Sequence, residues 1–374
     1  MSSILGERLR ISIFGQSHGE AIGVVMDGLP PGEAIHRGEL QEFLARRAPG
    51  RNKLSTPRKE GDVPRFVSGV VDGVTCGAPL CAVIQNGDTR SGDYDQLRRL
   101  VRPSHADYPA QVRYGGHQDV RGGGHFSGRL TAPLCVAGGI ALQLLARRGI
   151  FIGAHAQSIG GVGDLQYTTV DLTREELHRP LSHRIPVLDP QVVEPMEQEI
   201  DTARMDLDSV GGVIECAAIG LPPGLGDPMF GGMENRLSAA LFGIPAIRGV
   251  EFGAGFAAGG MRGSQHNDPY CLRDGAIRTR TNHHGGILGG ITTGMPLVFR
   301  VVVKPTASIP RPQETVDIAA MEPATLEVAG RHDPCITLRA VPCVEAAAAL
   351  VLLDAMLVQE GRLAGPQMPP PERP

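Results

Sequence analysis

Two stretches of the chain are apolar nearly all round: residues 130–148 (LTAPLCVAGGIALQLLARR) and 344–359 (VEAAAALVLLDAMLVQ). A helix without a polar face must be covered on most of its surface, so both are expected in the interior. Residues 38–47 (GELQEFLARR) and 195–210 are the other helix candidates. Around them, runs rich in β-branched residues predict strands at 9–14, 21–25, 65–72, 80–85, 150–162, 212–219, 249–256 and 297–304. The order is neither strict β-α-β alternation nor an all-β series. It predicts an α+β architecture with central helices between sheets.

Composition narrows the field. The chain has 374 residues and a formal net charge of −4, which gives no general basic character for binding nucleic acid. The first residues, MSSILGERLRIS, lack a long apolar core, and no run of eighteen apolar residues occurs, so a cytoplasmic protein without a membrane segment is expected. No composition break divides residues 1–364, which read as one domain. The tail GPQMPPPERP, residues 365–374, is expected to be disordered. Seven cysteines with no CxxC pair read as buried free thiols.

The polar chemistry collects in short glycine-rich stretches. ISIFGQSHGEAIGVV contains Gly15-Gln16-Ser17-His18-Gly19, a GxSxG match to a hydrolase nucleophile elbow. An elbow needs a helix directly after its serine, and here a second strand, AIGVV, follows. Ser17 therefore needs another role. RRAPGRNKLSTPRK, residues 46–59, is strongly basic and by itself reads as a solvated loop. RPSHADYPAQVRYGGHQDVRGGGHFSGR, residues 102–129, carries His105, His117, His125, Arg102, Arg113, Arg121 and Arg129, and its three glycines leave backbone amides open to an anion. TNHHGGILGGITTG spans 281–294. KPTASI, residues 304–309, offers a lysine and two hydroxyls suited to a phosphate or a flavin edge. GRHDPC, residues 330–335, alone reads as a polar turn. His105 with Asp107, His283 with His284, and His332 with Asp333 lack the spacing of HExxH or cysteine-rich metal sites, so no metal is expected. Nor does RGGGHFSG match GxGxxG or a P-loop.

Taken in order, these stretches resemble the chorismate synthase family. GQSHG is similar to its GESHG, RRAPGR to RRxPG, RPSHADY to RPxHAD and YGGHQDVRGGG to KYGxRDxRGGG. GGILGGITTG and KPTASI resemble GGIxGGITxG and KPTxSI, and GRHDPCITLRAVPCVEA resembles GRHDPCVxxRAVPVxEA. The likeness runs from residue 6 to about 360. It implies a β-α-β sandwich, central helices packed between antiparallel sheets, and a homotetramer. It also implies 1,4-anti elimination of phosphate from 5-enolpyruvylshikimate 3-phosphate to give chorismate, requiring reduced FMN without net redox change.

By the same likeness His105 is the proton donor to the leaving phosphate, and His18 partners the pyrimidine side of the reduced flavin. Asp333 helps to deprotonate flavin N5, with Ser17 and Ser127 as hydrogen-bonding relays. Flavin contacts fall on His125, Phe126, Ser127, Ala246, Gly289, Lys304, Pro305, Thr306, Ala307, Ser308 and Arg331. Arg47 matches a position for NADP. A substrate with two carboxylates and a phosphate calls for several fixed cations, for which Arg gives bidentate geometry. Arg46, Arg47, Arg129 and Arg331 are expected in that role, with Arg102 and Arg121 next. NADPH serves as reductant directly or through a separate flavin reductase, and no dedicated nicotinamide module is visible, which favours the latter.

Three departures stand near the cofactor: Gln16 for glutamate, His125-Phe126 for an arginine and a serine, and Pro245 for an asparagine. A histidine in place of a permanent cation is expected to make anion binding at that corner pH-dependent. A related flavin-dependent enzyme on another anionic substrate, or a non-catalytic FMN- or anion-binding protein, are the other readings. Retention of His18, His105 and Asp333 argues for catalysis.

Overall fold

The computed structural model describes residues 3–48, 50, 61–87, 96–328 and 333–363. Helices α1 (Arg37–Arg47), α2 (Asp107–Tyr114), α3 (Thr131–Arg147), α4 (Arg174–His178), α5 (Val193–Met205), α6 (Met233–Phe242), α7 (Gly263–His266) and α8 (Thr337–Leu363) alternate with strands of two main sheets. One sheet runs in the order Ile4–Leu5, Arg10–Gly15, Ala21–Asp27, Leu80–Gln85, Arg65–Ser68. The other runs Ile247–Phe252, Leu297–Val303, Gly212–Ile219, Phe151–Ile159, Val162–Gly163. Every pairing in both is antiparallel.

The first sheet turns alternate side chains, Ile22, Val24 and Met26, onto α3. The second turns Ile214, Cys216, Ala218, Phe299 and Val301 toward α8. Because α3 and α8 pack on each other, one apolar core runs through sheet, helices and sheet. This is the predicted sandwich. Both all-apolar helices lie inside it, 89% buried over their apolar windows. The outer face of the second sheet is covered too, by Tyr167, Leu177 and Leu188 on Ala217 and Val298.

The α3–α8 contact depends on missing side chains. A Cβ on Gly138 would fall 2.2 Å from the Cβ of Ala346 and 2.4 Å from its Cα, far inside contact distance. Gly138→Ala is therefore expected to lower the stability by about 1–3 kcal/mol by overpacking, although alanine is the better helix former. Gly361→Ala, where nothing lies within 4 Å, should gain about 0.5–1 kcal/mol. Urea unfolding of both variants checks the contrast; equal shifts would mean that the helices simply slide apart.

α8 also fastens the chain's beginning. Asp354 accepts hydrogen bonds from the backbone N–H of Glu7 (2.9 Å), Arg8 (2.8 Å) and Leu9 (2.7 Å), and from Arg236 (2.5 Å).

The strands predicted at 80–85 and 212–219 match in both bounds. The one predicted at 65–72 is broken at Gly69, whose φ of 82° permits the close approach of Leu80. α8 starts seven residues before the predicted 344, with Pro342 inside it. α2 and α6 were not predicted. Residues 365–374 lie outside the described residues.

Candidate active site

The GQSHG turn joins the antiparallel strands Arg10–Gly15 and Ala21–Asp27, so it projects from the end of the first sheet. No helix follows Ser17, and its backbone N–H donates to the carbonyl of Gly124 (3.0 Å). That excludes the elbow. Gly122, Gly123 and Gly124 hold φ of 58°, 82° and 55°, left-handed conformations that three successive residues with side chains would resist. A Cβ on Gly122 would lie 2.2 Å from Nδ1 of His18, and one on Gly123 would lie 3.3 Å from Nε2 of His105. Adjacent residues of one bare backbone turn thus touch the two candidate catalytic histidines.

His105 stands at the start of α2. Its Nδ1 is 2.6 Å from Asp107 Oδ1 and 3.1 Å from Arg102 Nη2. Only the carboxylate can accept, so Nδ1 donates to Asp107 and the proton-exchanging atom is Nε2, beside Gly123. Arg102 closes the arrangement with Nε to Asp107 Oδ2 and Nη2 to Oδ1, both 2.8 Å, and with Nη1 to Ser308 Oγ (3.2 Å). Burial by itself would raise the Asp107 pKa. The bonds from Arg102 and His105 outweigh it and hold the carboxyl far below the ordinary range. KPTASI is thereby tied to RPSHAD.

On the other side of the turn, Asn86 donates to the carbonyls of Gln16 (3.1 Å) and Gly19 (2.9 Å) and accepts from Arg129 Nε (3.2 Å). Arg129 shares Asp62 with Arg47. The Asp62 side chain is 0% exposed; burial favours its neutral form, but the two guanidiniums overcome that and lower its pKa. Arg339 donates to the carbonyl of Arg47 (3.0 Å) and pairs with Asp333. A continuous polar path therefore runs from Asp333 through Arg339, Arg47, Asp62, Arg129 and Asn86 to the turn that bears His18.

Three of the expected site residues are held by other parts of the chain. Arg46 spends its bidentate face on the buried Glu345 (2.6 and 2.7 Å), which also accepts from the N–H of Ala154, so that it clamps α1 to α8 and to the second sheet. Arg47 is equally committed, with Nε to Thr131 Oγ1, Nη1 to Asp62 and Nη2 to the carbonyl of Gly128. Its side chain is 3% exposed. His125 is exposed, with its two nitrogens 2.8 Å from the Gly15 carbonyl and 2.7 Å from Ser3 Oγ. The expectation of buried thiols holds for Cys135, Cys216, Cys335 and Cys343, whereas Cys76 is exposed.

Other residues sit near their expected company. Ser127 Oγ accepts from Arg129 N–H (3.3 Å), and Phe126 leans on Tyr114 with ring centroids 6.2 Å apart. Ala246, at a positive φ of 75°, accepts the Lys304 N–H at its carbonyl (3.0 Å). Lys304 is depressed first by burial, then by Arg248. Pro305 to Ser308 follow, and Ser209 donates to the Thr306 carbonyl. Arg121 pairs with Asp119 yet stays 40% exposed. Gly289 lies elsewhere, in the turn between Ile287–Leu288 and Ile291–Thr292, next to Gly290, which packs on Gly226 and Gly232. Arg331 and His332 fall outside the described residues. Sequence reasoning missed Asp62, Asn86, Arg339 and Glu345; Asp107 was seen only as a poor metal ligand.

Comparison with known proteins gives the family and the fold. The chorismate synthase family model matches residues 9–357. The chain is 47% identical over 353 residues to the chorismate synthase of Thermococcus kodakarensis, covering 94% of this chain and 97% of that one. It is 45% identical to that of Lancefieldella parvula, covering 95% and 96%. A chorismate synthase crystal structure superposes with a TM-score of 0.75 at 27% identity, covering 95% of this chain and 94% of that one. With family model, close relatives and fold in accord over nearly its whole length, the chain belongs to the chorismate synthase family.

Proposed function

We propose that this chain converts 5-enolpyruvylshikimate 3-phosphate to chorismate by 1,4-anti elimination of phosphate, with reduced FMN required and no net redox change. The observation that carries the reading is His105, locked by Asp107 through Nδ1 so that Nε2 faces the triple-glycine turn against which His18 also rests. In the reaction the ring C–O bond to phosphate breaks, a ring C–H proton is lost, and the electron pair becomes the second ring double bond. His105 Nε2 delivers a proton to the departing phosphate oxygen. Arg102 and Asp107 keep the imidazole's orientation as that proton leaves. Arg121, the exposed cation beside the glycines, and Arg331 hold substrate anions, with Arg129 behind them. Arg46 and Arg47 act by positioning. Ser17 and Ser127 order the turn and the start of α3.

Two observations suit the residues present to FMN. Thr306 Oγ1 is buried and has no hydrogen-bond partner among the described residues, and Ala246 is held in a left-handed backbone conformation beside Lys304. Lys304 to Ser308, Ala246, Phe126, Ser127 and Arg331 would hold the cofactor, with His18 toward its pyrimidine side. When bound, reduced FMN would supply electron density to the allylic system, and Asp333 would assist removal of the ring proton. NADPH, directly or through a separate flavin reductase, provides the reducing equivalents. One domain over residues 1–364, a homotetramer and a cytoplasmic location complete the reading.

The test is anaerobic: protein, dithionite-reduced FMN and substrate, with chorismate absorbance and phosphate release followed together and oxidised FMN as control. Equal release of both products with reduced FMN alone is expected. Bound FMN and substrate without either product would sink the reading.

A further inference from the structure

One turn before the Gly138–Ala346 contact on both helices, Cys135 of α3 and Cys343 of α8 face each other with Sγ atoms 3.8 Å apart. Equal three-residue steps on the two helices mean that they run parallel here. The hypothetical Gly138 Cβ lies 2.4 Å from Ala346 Cα; adding one C–C bond of ~1.5 Å places the two Cα atoms within about 4 Å. A disulfide sets its Cα atoms ~4.4–6.8 Å apart, so helices that approach this closely one turn away leave no wide gap for a cross-link to close. Both thiols are buried, at 0 and 2% exposure. Among the described residues no group of three or more ligating side chains could hold a metal, so the pair is not part of a metal site.

The surroundings distinguish the two sulfurs. The hydrogen bond from Cys135 lowers the Cys343 pKa, burial opposes it, and Arg47, Thr131 and Arg339 add to the lowering. Burial pushes Cys135 up. Cys343 Sγ also donates to the carbonyl of Arg339 (3.3 Å), so its proton has an acceptor while its sulfur accepts from Cys135, and two arginines lie close enough to favour its charged form.

We propose that Cys135 and Cys343 form a redox modification site, closing to a reversible disulfide under hydrogen peroxide. The Cys343 sulfur attacks one peroxide oxygen, the O–O bond breaks, and water leaves with a sulfenic acid on Cys343. The Cys135 sulfur then attacks the Cys343 sulfur, the S–O bond breaks, and a second water departs. Two thiols and one peroxide give one disulfide and two waters, the sulfurs losing the two electrons that the peroxide gains. A dithiol reverses it. The cross-link would join the first turn of α3, where Thr131 holds Arg47, to the start of α8, where Arg339 holds Asp333.

The test uses full-length protein, reduced and freed of reductant, exposed to hydrogen peroxide, quenched with catalase and unfolded in urea with iodoacetamide. Peptides are mapped by mass spectrometry without reductant. The peptides holding Cys135 and Cys343 are expected joined, lighter by two hydrogens than their sum, and separated by dithiothreitol. Cys343→Ser should abolish the joined species, and Cys135→Ala serves the same purpose if the first variant does not fold. Recovery of both cysteines as alkylated thiols once exposed Cys76 has been oxidised would overturn the site. So would separate sulfinic acids, or a cross-link from either to another cysteine.

Discussion

His105→Ala is expected to lower turnover by about a hundredfold or more, the usual scale for a lost general acid, while leaving the affinity for FMN within about twofold. The geometry separates those effects. Asp107 remains bound by Arg102 through two side-chain bonds when the imidazole is gone, so the start of α2 and its link to Ser308 survive. What disappears is Nε2, the one atom of the group placed to give up a proton beside Gly123. Asp107→Asn makes a sharper companion. It keeps the shape but replaces the carboxylate that fixes the proton on Nδ1 with an amide that can also donate, so the tautomer presenting Nε2 is no longer enforced and turnover should fall while FMN affinity is kept. Stopped-flow turnover with pre-reduced FMN reads the first effect and flavin fluorescence titration the second. Unchanged turnover in His105→Ala would remove it from the chemistry.

Asp62→Ala is expected to cost about 3–5 kcal/mol of unfolding free energy, the range for breaking a buried ion pair by deleting one partner. The deletion strands two cations at once, since the side chains of Arg47 and Arg129 are 3% and 4% exposed and both pair with this carboxylate. Urea unfolding with intrinsic tyrosine fluorescence measures the loss. A change below about 1 kcal/mol, the scale of an exposed ion pair, would mean that Asn86 and water replace it. The same group predicts an acid dependence. Its folded pKa is depressed, so its stabilising contribution is complete above the usual carboxylate pKa and disappears as pH falls through the lowered folded value. The wild type should therefore lose stability below the ordinary carboxylate range, and Asp62→Ala should lose less over that window.

Much of this was written in local patterns. The all-apolar runs at 130–148 and 344–359 had to be interior whatever the topology, and Ile22, Val24 and Met26 alternate as a half-buried strand must. The α6 signal was present as well: Met233, Leu237, Ala240 and Leu241 recur at helical spacing and are all buried. α2 was harder, because Pro109 and two tyrosines interrupt its only pattern. Histidines in glycine-rich motifs drew attention because the bare backbone beside them is itself a local property. Partner choice was not legible. Nothing near residue 62 announces a carboxylate that two arginines, 15 and 67 positions away, would converge on. Arg46 and Arg47, read as free cations, are consumed by acids far along the chain or in another loop. Long-range pairing decides whether an arginine is a ligand-binding group or a strut, and one sequence does not encode it locally.

The clasp between Asp354 and the backbone of Glu7, Arg8 and Leu9 also bears on biosynthesis. Those three amides are synthesised 345 to 347 residues before their acceptor. Until α8 is released, the first sheet can form its hairpin but has no complete partner for its inner face. The nascent chain must therefore carry exposed apolar strands while the 345 to 347 residues that separate these amides from Asp354 are being made. A protein built this way needs protection while it is being made, and a ribosome stalled short of residue 354 leaves a product that cannot close.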